Sequence, residues 1–569
     1  MHSPLRCALA ATALLAAPRA GAQSPVLLVG TGDEIAGVGK VTRIESVMVD
    51  FAGWWVVQVA TDNPAVPSVA LREGVVFRKV GDPVPSLPGV TLAGLGGWSE
   101  DGFGGLANMA RLAGTPGGST DDQAVLHSFG SVHLQTGVLT SLATPDFPPG
   151  SVWSSFGEAR FGHFTTDYAL TGSVAQPGVP DSERSFLAIA MQYGSIGICC
   201  MVDAIAQEGE VAPGLSERIQ AVRTGPWNAR MQSAGAWLYW GCDVSGSSAS
   251  DGCVYRYATA GHSHELLARE GAASPVAGRT WGPLEDYALD AVGPHWTLRT
   301  FLDPSDPSSD AILVRNGSKL AQEGDVLPAT APFAIDDLGS GRGILDAAGR
   351  VLWYGRWNDP SQVGEALFLD QDVLVRTGTT TVGGIPLAGL SSGPVDFDLS
   401  AAGNYVVFTG TRADGRQGAF ALNLGLVKGY CSAKPNSKGC LVFGSNSGAP
   451  SASSGSPFYL SAKGILSQVE GLLLYGTSGP AATPLQHALL CVEPPLRRLP
   501  PLSSGGRLPP GSTCNGVLVV DFNAWIASGA DPALVPGTTV FTQFWARDPG
   551  YAPPGDFSLT QAHEFLIGP

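Results

Sequence analysis

Charge is scarce in this sequence. Asp, Glu, Lys and Arg make up 14% of its 569 residues, against ~25% in an average globular chain. The balance is acidic, with a formal net charge of −16. Such a chain lacks the basic surface that a phosphate backbone requires, so nucleic acid is not an expected partner. Long apolar runs are missing after the first residues, and no later segment approaches the roughly 20 residues that cross a bilayer as a helix. No two cysteines stand at C-x-x-C spacing, which argues against a zinc ribbon. No G-x-S-x-G elbow, P-loop or dinucleotide fingerprint occurs, and no cofactor is expected. Helical periodicity is nearly absent. A core is not lacking: 44% hydrophobic residues and 13 Trp exclude a disordered chain.

The N-terminus has the grammar of an export signal. Arg6 supplies a positive start, Cys7 to Ala17 is apolar and uncharged, and Ala20-Gly21-Ala22 is a small-residue cleavage pattern. Cleavage after Ala22 is expected, with a secreted or cell-surface product. Eight cysteines follow Cys7: Cys199, Cys200, Cys242, Cys253, Cys431, Cys440, Cys491 and Cys514. An even count in an exported chain favours disulfides. Proximity along the chain suggests Cys242–Cys253, Cys431–Cys440 and Cys491–Cys514, and leaves the vicinal pair Cys199-Cys200 unassigned.

Two phrases recur through the first three quarters of the chain. The first is an apolar run followed by Glu-Gly or a relative, as in AIAQEGEVAPG at Gly209, LLAREGAASPVAG at Gly271 and KLAQEGDVLP at Gly324. Looser copies stand at Gly32, Gly81 and Gly378. The second phrase is LDAAGRVLWYG at Gly349 and LSAAGNYVVFTG at Gly403, with relatives at Gly53, Gly102, Gly235 and Gly293. Gly324 to Gly349 and Gly378 to Gly403 each span 25 residues, and the other copies hold 21 to 26. A further worn copy is read between Gly102 and Gly209, with TSLATPDFPPG as its first phrase and Tyr168 in the glycine position of its second.

Runs such as Trp54-Trp55-Val56-Val57, Val351-Leu352-Trp353-Tyr354 and Tyr405-Val406-Val407-Phe408 suit strands, and each follows a turn glycine. Three or four short antiparallel strands per unit predict a seven-bladed β-propeller over residues 23–427, with a β-solenoid or a six-bladed ring as alternatives. The first copy starts near the mature N-terminus, so an N-terminal strand is expected to complete the last blade and remove an open edge.

The repeat ends near residue 427. From 428 to 569, short strands separated by Gly, Pro and Ser turns predict a β-sandwich. YCSAKPNSKGC, GSPFYLSAKG, LYGTSGPAATP, LCVEPPLRR and DFNAWIASGADPALVPGTTVFTQFWARDPG resemble a C-terminal module found on many exported proteins of environmental bacteria. The upstream EGD-x-x-PG phrases resemble a second group of secreted bacterial repeat proteins. Neither resemblance implies an activity or catalytic residues; both imply export and modularity.

Candidate chemistry is thin. His264-Glu265-Leu266-Leu267-Ala268 begins like a zincin helix but has Ala268 where the second His belongs. His262 and His264 could form a metal pair on one strand face, although no third ligand is evident. Asp303, Asp306 and Asp310 could gather around Ca²⁺, but their spacing is not that of a known loop and a solvated turn is the preferred reading. Glu73, Glu208, Glu270 and Glu323 recur at one repeat position, which suits a turn brace better than acid–base chemistry, and Asp50, Asp290 and Asp346 share that property. Trp54, Trp153, Trp227 and Trp281 could stack on sugar rings, with blade packing as the simpler use. The expected function is therefore an exported, non-catalytic binding or envelope-associated protein that presents loops to a glycan or protein. The alternative is a secreted polysaccharide hydrolase or lyase, which requires unlike carboxylate, His or Tyr groups at one channel mouth.

Overall fold

The described residues of the computed structural model are 25–568, apart from 51–52, 73, 101–105, 127–131, 139–146, 162–166, 192–200, 225–228, 232–236, 285–286, 305, 307, 360–363, 425–426, 432, 435, 441, 455–456, 487, 506–508, 512–513 and 515. The leader expected over 1–22 and the Cys199-Cys200 pair lie outside them. Apart from one short helix, Phe522–Ala527, and one 3-10 turn, Gly118–Thr120, every described element is a strand. The chain is all-β.

Up to Asn423 the strands form seven small antiparallel sheets in chain order, spanning 34–79, 91–135, 152–207, 219–269, 280–322, 335–376 and 381–423. Each is an antiparallel meander, and in the fourth to seventh sheets the inner strand is split into two pieces that both pair with the strand after them. The seventh takes one strand from the far end of the sequence: Val26–Gly30 pairs antiparallel with Gln417–Asn423, placing Leu27 opposite Phe420 and Val29 opposite Ala419. The expected closing strand is present.

All but one of the hydrophobic clusters of this region straddle two neighbouring sheets, the exception lying within the second sheet and the turn before it. Met48 and Val56 meet Trp98 and Leu106. Val125 meets Trp153 and Phe186, and Leu187 meets Trp240 and Tyr255. Val254 packs with Leu298, Leu313 with Trp353, and Leu352 with Phe408. The last seam returns to the start, with Val29, Val407 and Ala419 of the seventh sheet packed on Val57 and Val59 of the first. A closed ring of small twisted sheets fits a β-propeller. It also explains why the strands read as unbroken apolar runs. A sheet covered on both faces buries consecutive residues, and Val351, Leu352, Trp353 and Tyr354 are all buried.

The repeated glycine has one structural job. Gly32, Gly81, Gly137, Gly209, Gly271, Gly324 and Gly378 all have positive φ, between 73° and 92°. Each donates its N–H, at 2.8 to 2.9 Å, to a carbonyl on the inner strand of the next sheet, as Gly209 does to Ile219 and Gly324 to Ile335. The left-handed backbone aims the N–H across the sheet-to-sheet connection, and an L side chain there costs about 1–2 kcal/mol. Gly137, in Gln135-Thr136-Gly137, corrects the placement of the worn copy, which had been expected within TSLATPDFPPG. Tyr168 is corrected as well. It is the first residue of a strand, paired with Phe161, and occupies no turn.

The C-terminal region contains two larger sheets and a two-stranded ribbon, Pro480–Leu485 paired with Ala488–Val492. One larger sheet joins Val427–Tyr430, Phe557–Leu566, Thr539–Arg547 and Glu470–Gly476 with two short edge pieces, and the other joins Phe443–Ser447, Tyr459–Ile465 and Gly516–Asp521. These two share one core, in which Phe458, Leu460 and Leu518 meet Leu473, Phe544 and Phe565. The helix starts at Asp521, whose Oδ1 accepts the Ala524 N–H at 3.1 Å, an N-cap. This region rests on the ring through Trp54 and Phe443, whose ring centroids are 4.7 Å apart. Asn404 Nδ2 also donates to Asn446 Oδ1 across the same contact at 3.2 Å.

Two disulfides staple the region, and their pairing corrects the expectation. Cys431 bonds Cys491, and Cys440 bonds Cys514, with Cα separations of 6.3 and 6.4 Å. Cys431 follows a strand whose Tyr430 hydroxyl donates to the Cys491 carbonyl at 2.7 Å, so spatial neighbours override sequence neighbours. The loops closed span 60 and 74 residues, worth roughly 4 kcal/mol each on chain-entropy reasoning. Cys242 and Cys253 stand opposite each other on paired strands, yet both are buried free thiols, so the expected bridge is not formed. Burial pushes Cys253 up to about 11 and raises Cys242 further. No described helix is long and apolar enough to cross a membrane.

Candidate functional site

The inner strands of the sheets converge on a cavity of about 280 Å³. Its walls come from the first, second, third, fifth, sixth and seventh sheets. Three polar groups dominate it.

The first is built around Arg342, buried between two carboxylates from different sheets. Arg342 Nη2 is 3.2 Å from Asp398 Oδ1, and its Nε is 3.6 Å from Asp290 Oδ1. The second oxygen of each acid is also engaged. Asp398 Oδ2 accepts the Val49 N–H at 3.0 Å, and Asp290 Oδ2 accepts the Leu345 N–H at 2.8 Å. Each carboxylate thereby staples its own sheet to the next while neutralising Arg342. A buried charge is tolerated only with such partners.

The second group is Arg160, whose Nε donates to Glu158 Oε1 at 2.6 Å and whose Nη1 donates to the Trp98 carbonyl. The third is centred on Gln58. Its Nε2 donates to Glu45 Oε2 at 2.9 Å, and its Oε1 accepts the Trp98 indole N–H at 2.8 Å. Ser68 Oγ and Arg43 Nη2 complete the Glu45 carboxylate at 2.6 and 2.8 Å.

Between the second and third sheets a groove of about 310 Å³ adjoins this cavity, with Leu95, Gly96, Gly97 and Arg160 common to both walls. Met109, Arg111, Gln123 and Phe156 form much of the rest.

The residues singled out from sequence are mostly elsewhere. Asp50 and Asp346 brace their own turns, accepting N–H bonds from Trp54 at 2.8 Å and from Arg350 at 2.9 Å. Ser400 holds the equivalent turn with its hydroxyl, at 3.0 Å from the Tyr405 N. Asp290 occupies the same repeat position but reaches the cavity. Its hairpin pairs three residues further than that of Asp346, through Asp290 itself to Val292 opposite His295, and this removes the turn that it would otherwise cap.

Glu208, Glu270 and Glu323 brace hairpins. Their carboxylates accept N–H bonds from Ser185 at 3.1 Å, Leu284 at 2.6 Å and Ala311 at 3.2 Å. Burial, with Asp310 alongside, pushes Glu323 up to about 7; Glu73 lies outside the described residues. Asp306 is held by Ser308 and Ser309, whose hydrogen bonds lower its pKa. Asp310 has turned to Glu323, so Asp303, Asp306 and Asp310 do not converge. Among the described residues no group of three or more His, Cys, Asp or Glu side chains could hold a metal ion.

His262 and His264 flank Tyr257, with His262 Nδ1 2.6 Å from the tyrosine hydroxyl and the His264 ring centroid 4.8 Å from the phenol. Burial lowers the His264 pKa. Trp153 and Trp281 are buried, Trp54 sits between Arg72 and Phe443, and Trp227 lies outside the described residues. None of the three described tryptophans offers a free sugar platform. Sequence reasoning missed Gln58, Trp98, Arg160, Arg342 and Asp398, which come from unlike positions in different repeats; the Gly-Gly run before Trp98 was the available signal.

No family model and no curated protein matches the chain. Among solved structures it is similar to oligopeptidase B from Trypanosoma brucei with covalently bound antipain, at 10% identity and a TM-score of 0.31, covering 76% of this chain and 54% of that one. It is also similar to an alpha-L-arabinanase of Penicillium chrysogenum complexed with arabinobiose, at 11% identity and a TM-score of 0.28, covering 71% and 99%. A third likeness is a glycoside hydrolase family 32 structure from Bifidobacterium adolescentis, at 10% identity and a TM-score of 0.22, covering 90% and 84%. The chain thus spans about half the length of the oligopeptidase, and at these scores none of the three carries an inference about chemistry.

Proposed function

We propose that this chain is an exported, non-catalytic binding protein, a seven-bladed β-propeller that offers its central cavity to a glycan, followed by a C-terminal β-sandwich that serves retention at the cell envelope. The observation that carries this reading is the state of the cavity carboxylates. Asp290 and Asp398 each use one oxygen on Arg342 and the other on a backbone N–H of the next sheet. A general acid or base must be able to exchange a proton with its substrate, and acids held in this way serve as staples. Two disulfides, the N-terminal leader pattern and the absence of a membrane-spanning helix among the described residues are consistent with export.

One observation favours a second reading. Glu45, Asp290 and Asp398 are unlike acids that line one cavity, as a polysaccharide hydrolase or lyase requires. The full chain incubated with a panel of bacterial and algal polysaccharides, scored for retention and for new reducing or unsaturated ends, separates the two. Retention without turnover is the expected result, and turnover overturns the binding reading.

A further inference from the structure

The central cavity and the groove beside it share a wall of Leu95, Gly96, Gly97 and Arg160, in which the two glycines present only backbone. The inner strand of the second sheet has its register broken here, between Gly96 and Ser99. The two glycines differ: at Gly97, which has φ +57°, an added Cβ would stand 3.1 Å from Met109 Cγ, whereas Gly96 faces open space. At Gly96 an added Cβ would meet nothing within 4 Å, and its backbone lies outside the positive-φ region. Packing therefore does not require glycine at this position; an open passage does.

The chemistry of the walls narrows what such a passage accepts. Every charged side chain named around it has its opposite within the protein. Arg160 pairs with Glu158, Arg342 with Asp290 and Asp398, Glu45 with Arg43, and Arg111 with Asp122 at 2.8 Å. At the buried pairs of Arg160 and Arg342 an ionic ligand would have to break the pair or enter without a counter-charge, and both are costly away from bulk water. Between the paired charges lie apolar surfaces, Leu95, Met109 and Phe156, and side-chain amides, Gln58 and Gln123. That mixture suits a ligand with apolar faces and a rim of hydroxyls.

We propose that the cavity and the groove are one continuous site for an uncharged oligosaccharide, threaded past Gly96 with one end at the centre of the ring. This deepens the binding reading above and rests on it.

The test measures binding of the full chain to xylohexaose, mannohexaose, cellohexaose and hexagalacturonate by calorimetry. Three proteins are compared: the wild type, Gly96→Phe and Gly389→Phe. Gly389 is an equally open position, with nothing within 4 Å of an added Cβ, on the inner-strand segment Ile385–Leu390 of the seventh sheet. The wild type should bind at least one of the neutral hexasaccharides and prefer it to hexagalacturonate. Gly96→Phe should weaken that binding at least roughly tenfold, and Gly389→Phe should leave it unchanged. If Gly96→Phe melts early, Gly96→Gln, a smaller load at the same point, decides the matter by the same fold-change. Equal affinity in the wild type and the Gly96 variants overturns the continuous site while the binding reading stands. Preference for hexagalacturonate overturns the neutral-ligand assignment. Failure of the wild type to hold any glycan overturns the binding reading itself, and this inference with it.

Discussion

His563 makes the C-terminal region sensitive to acid. It lies on Phe557–Leu566, between Gly429 on one neighbouring strand and Thr542 on the other. Its ring lies over Gly444, where an added Cβ would stand 2.6 Å from Cε1. Full burial pushes its pKa from 6.5 down to about 4. The folded state thus prefers the neutral ring, and the unfolded chain binds one more proton between those two values. Stability from this group is complete above pH 6.5 and is lost as the pH falls through about 4. The difference between the two states amounts to about 3 kcal/mol between pH 7.5 and pH 4. Urea titrations of the wild type and of His563→Gln at both pH values, read by pulsed hydrogen exchange of the peptide covering 557–566, isolate this contribution. A local probe is needed because a chain of this size need not unfold in one step. His563→Gln will lose stability at pH 7.5 through altered packing, but its decline on acidification should be about 3 kcal/mol smaller than that of the wild type. Parallel declines, within about 0.5 kcal/mol, would refute the account of a neutral buried imidazole.

Three further outcomes are expected. Arg342→Met should destabilise the ring by about 3–5 kcal/mol by leaving Asp290 and Asp398 buried without their shared counter-charge, as read by thermal melting, whereas Asp346→Asn, whose side-chain oxygen can still accept from the turn, should cost less than half of that. Val29→Asp places a carboxylate in the seam between the seventh and first sheets, and limited proteolysis should then release the N-terminal strand while sparing the C-terminal region. Peptide mapping without reduction should recover Cys431–Cys491 and Cys440–Cys514. In the same sample Cys242 and Cys253 should resist alkylation until denaturant is added, since both thiols are buried with raised pKa values.

The all-β class and the closing strand were legible because both depend on local signals, apolar runs and turn glycines, that recur from unit to unit. Gly137 was missed for a local reason. Its unit carries Thr136 where three others carry Glu, and Val138 where four others carry Asp or Glu; the Thr136 hydroxyl accepts the Gln123 N–H at 3.1 Å, doing for that hairpin what Glu323 does for Ala311. A hydroxyl substitutes for a carboxylate at little cost, so the phrase changed while the bond remained. The cavity was illegible for the opposite reason. Arg342 and Asp398 lie in different units, and neither residue is unusual within its own. Their meaning arises only when the ring brings the sixth sheet against the seventh. Asp290 shows how small the difference can be, since three more paired residues in its hairpin turn a repeat-position brace into part of the central wall. The disulfides failed on the same ground, because chain proximity is a poor guide once strands 60 or more residues apart lie side by side.

Closure by Val26–Gly30 also sets an order of events. The partner strand, Gln417–Asn423, is made nearly 400 residues later, so Val26–Gly30 must wait for the last repeat before its backbone N–H and C=O groups are matched. Until then the first and seventh sheets have no shared seam, and Val29 has no place to be buried. The loop to be closed is among the longest in the chain, and its entropy is recovered only in the final step. A nascent molecule of this design is necessarily an unfinished one.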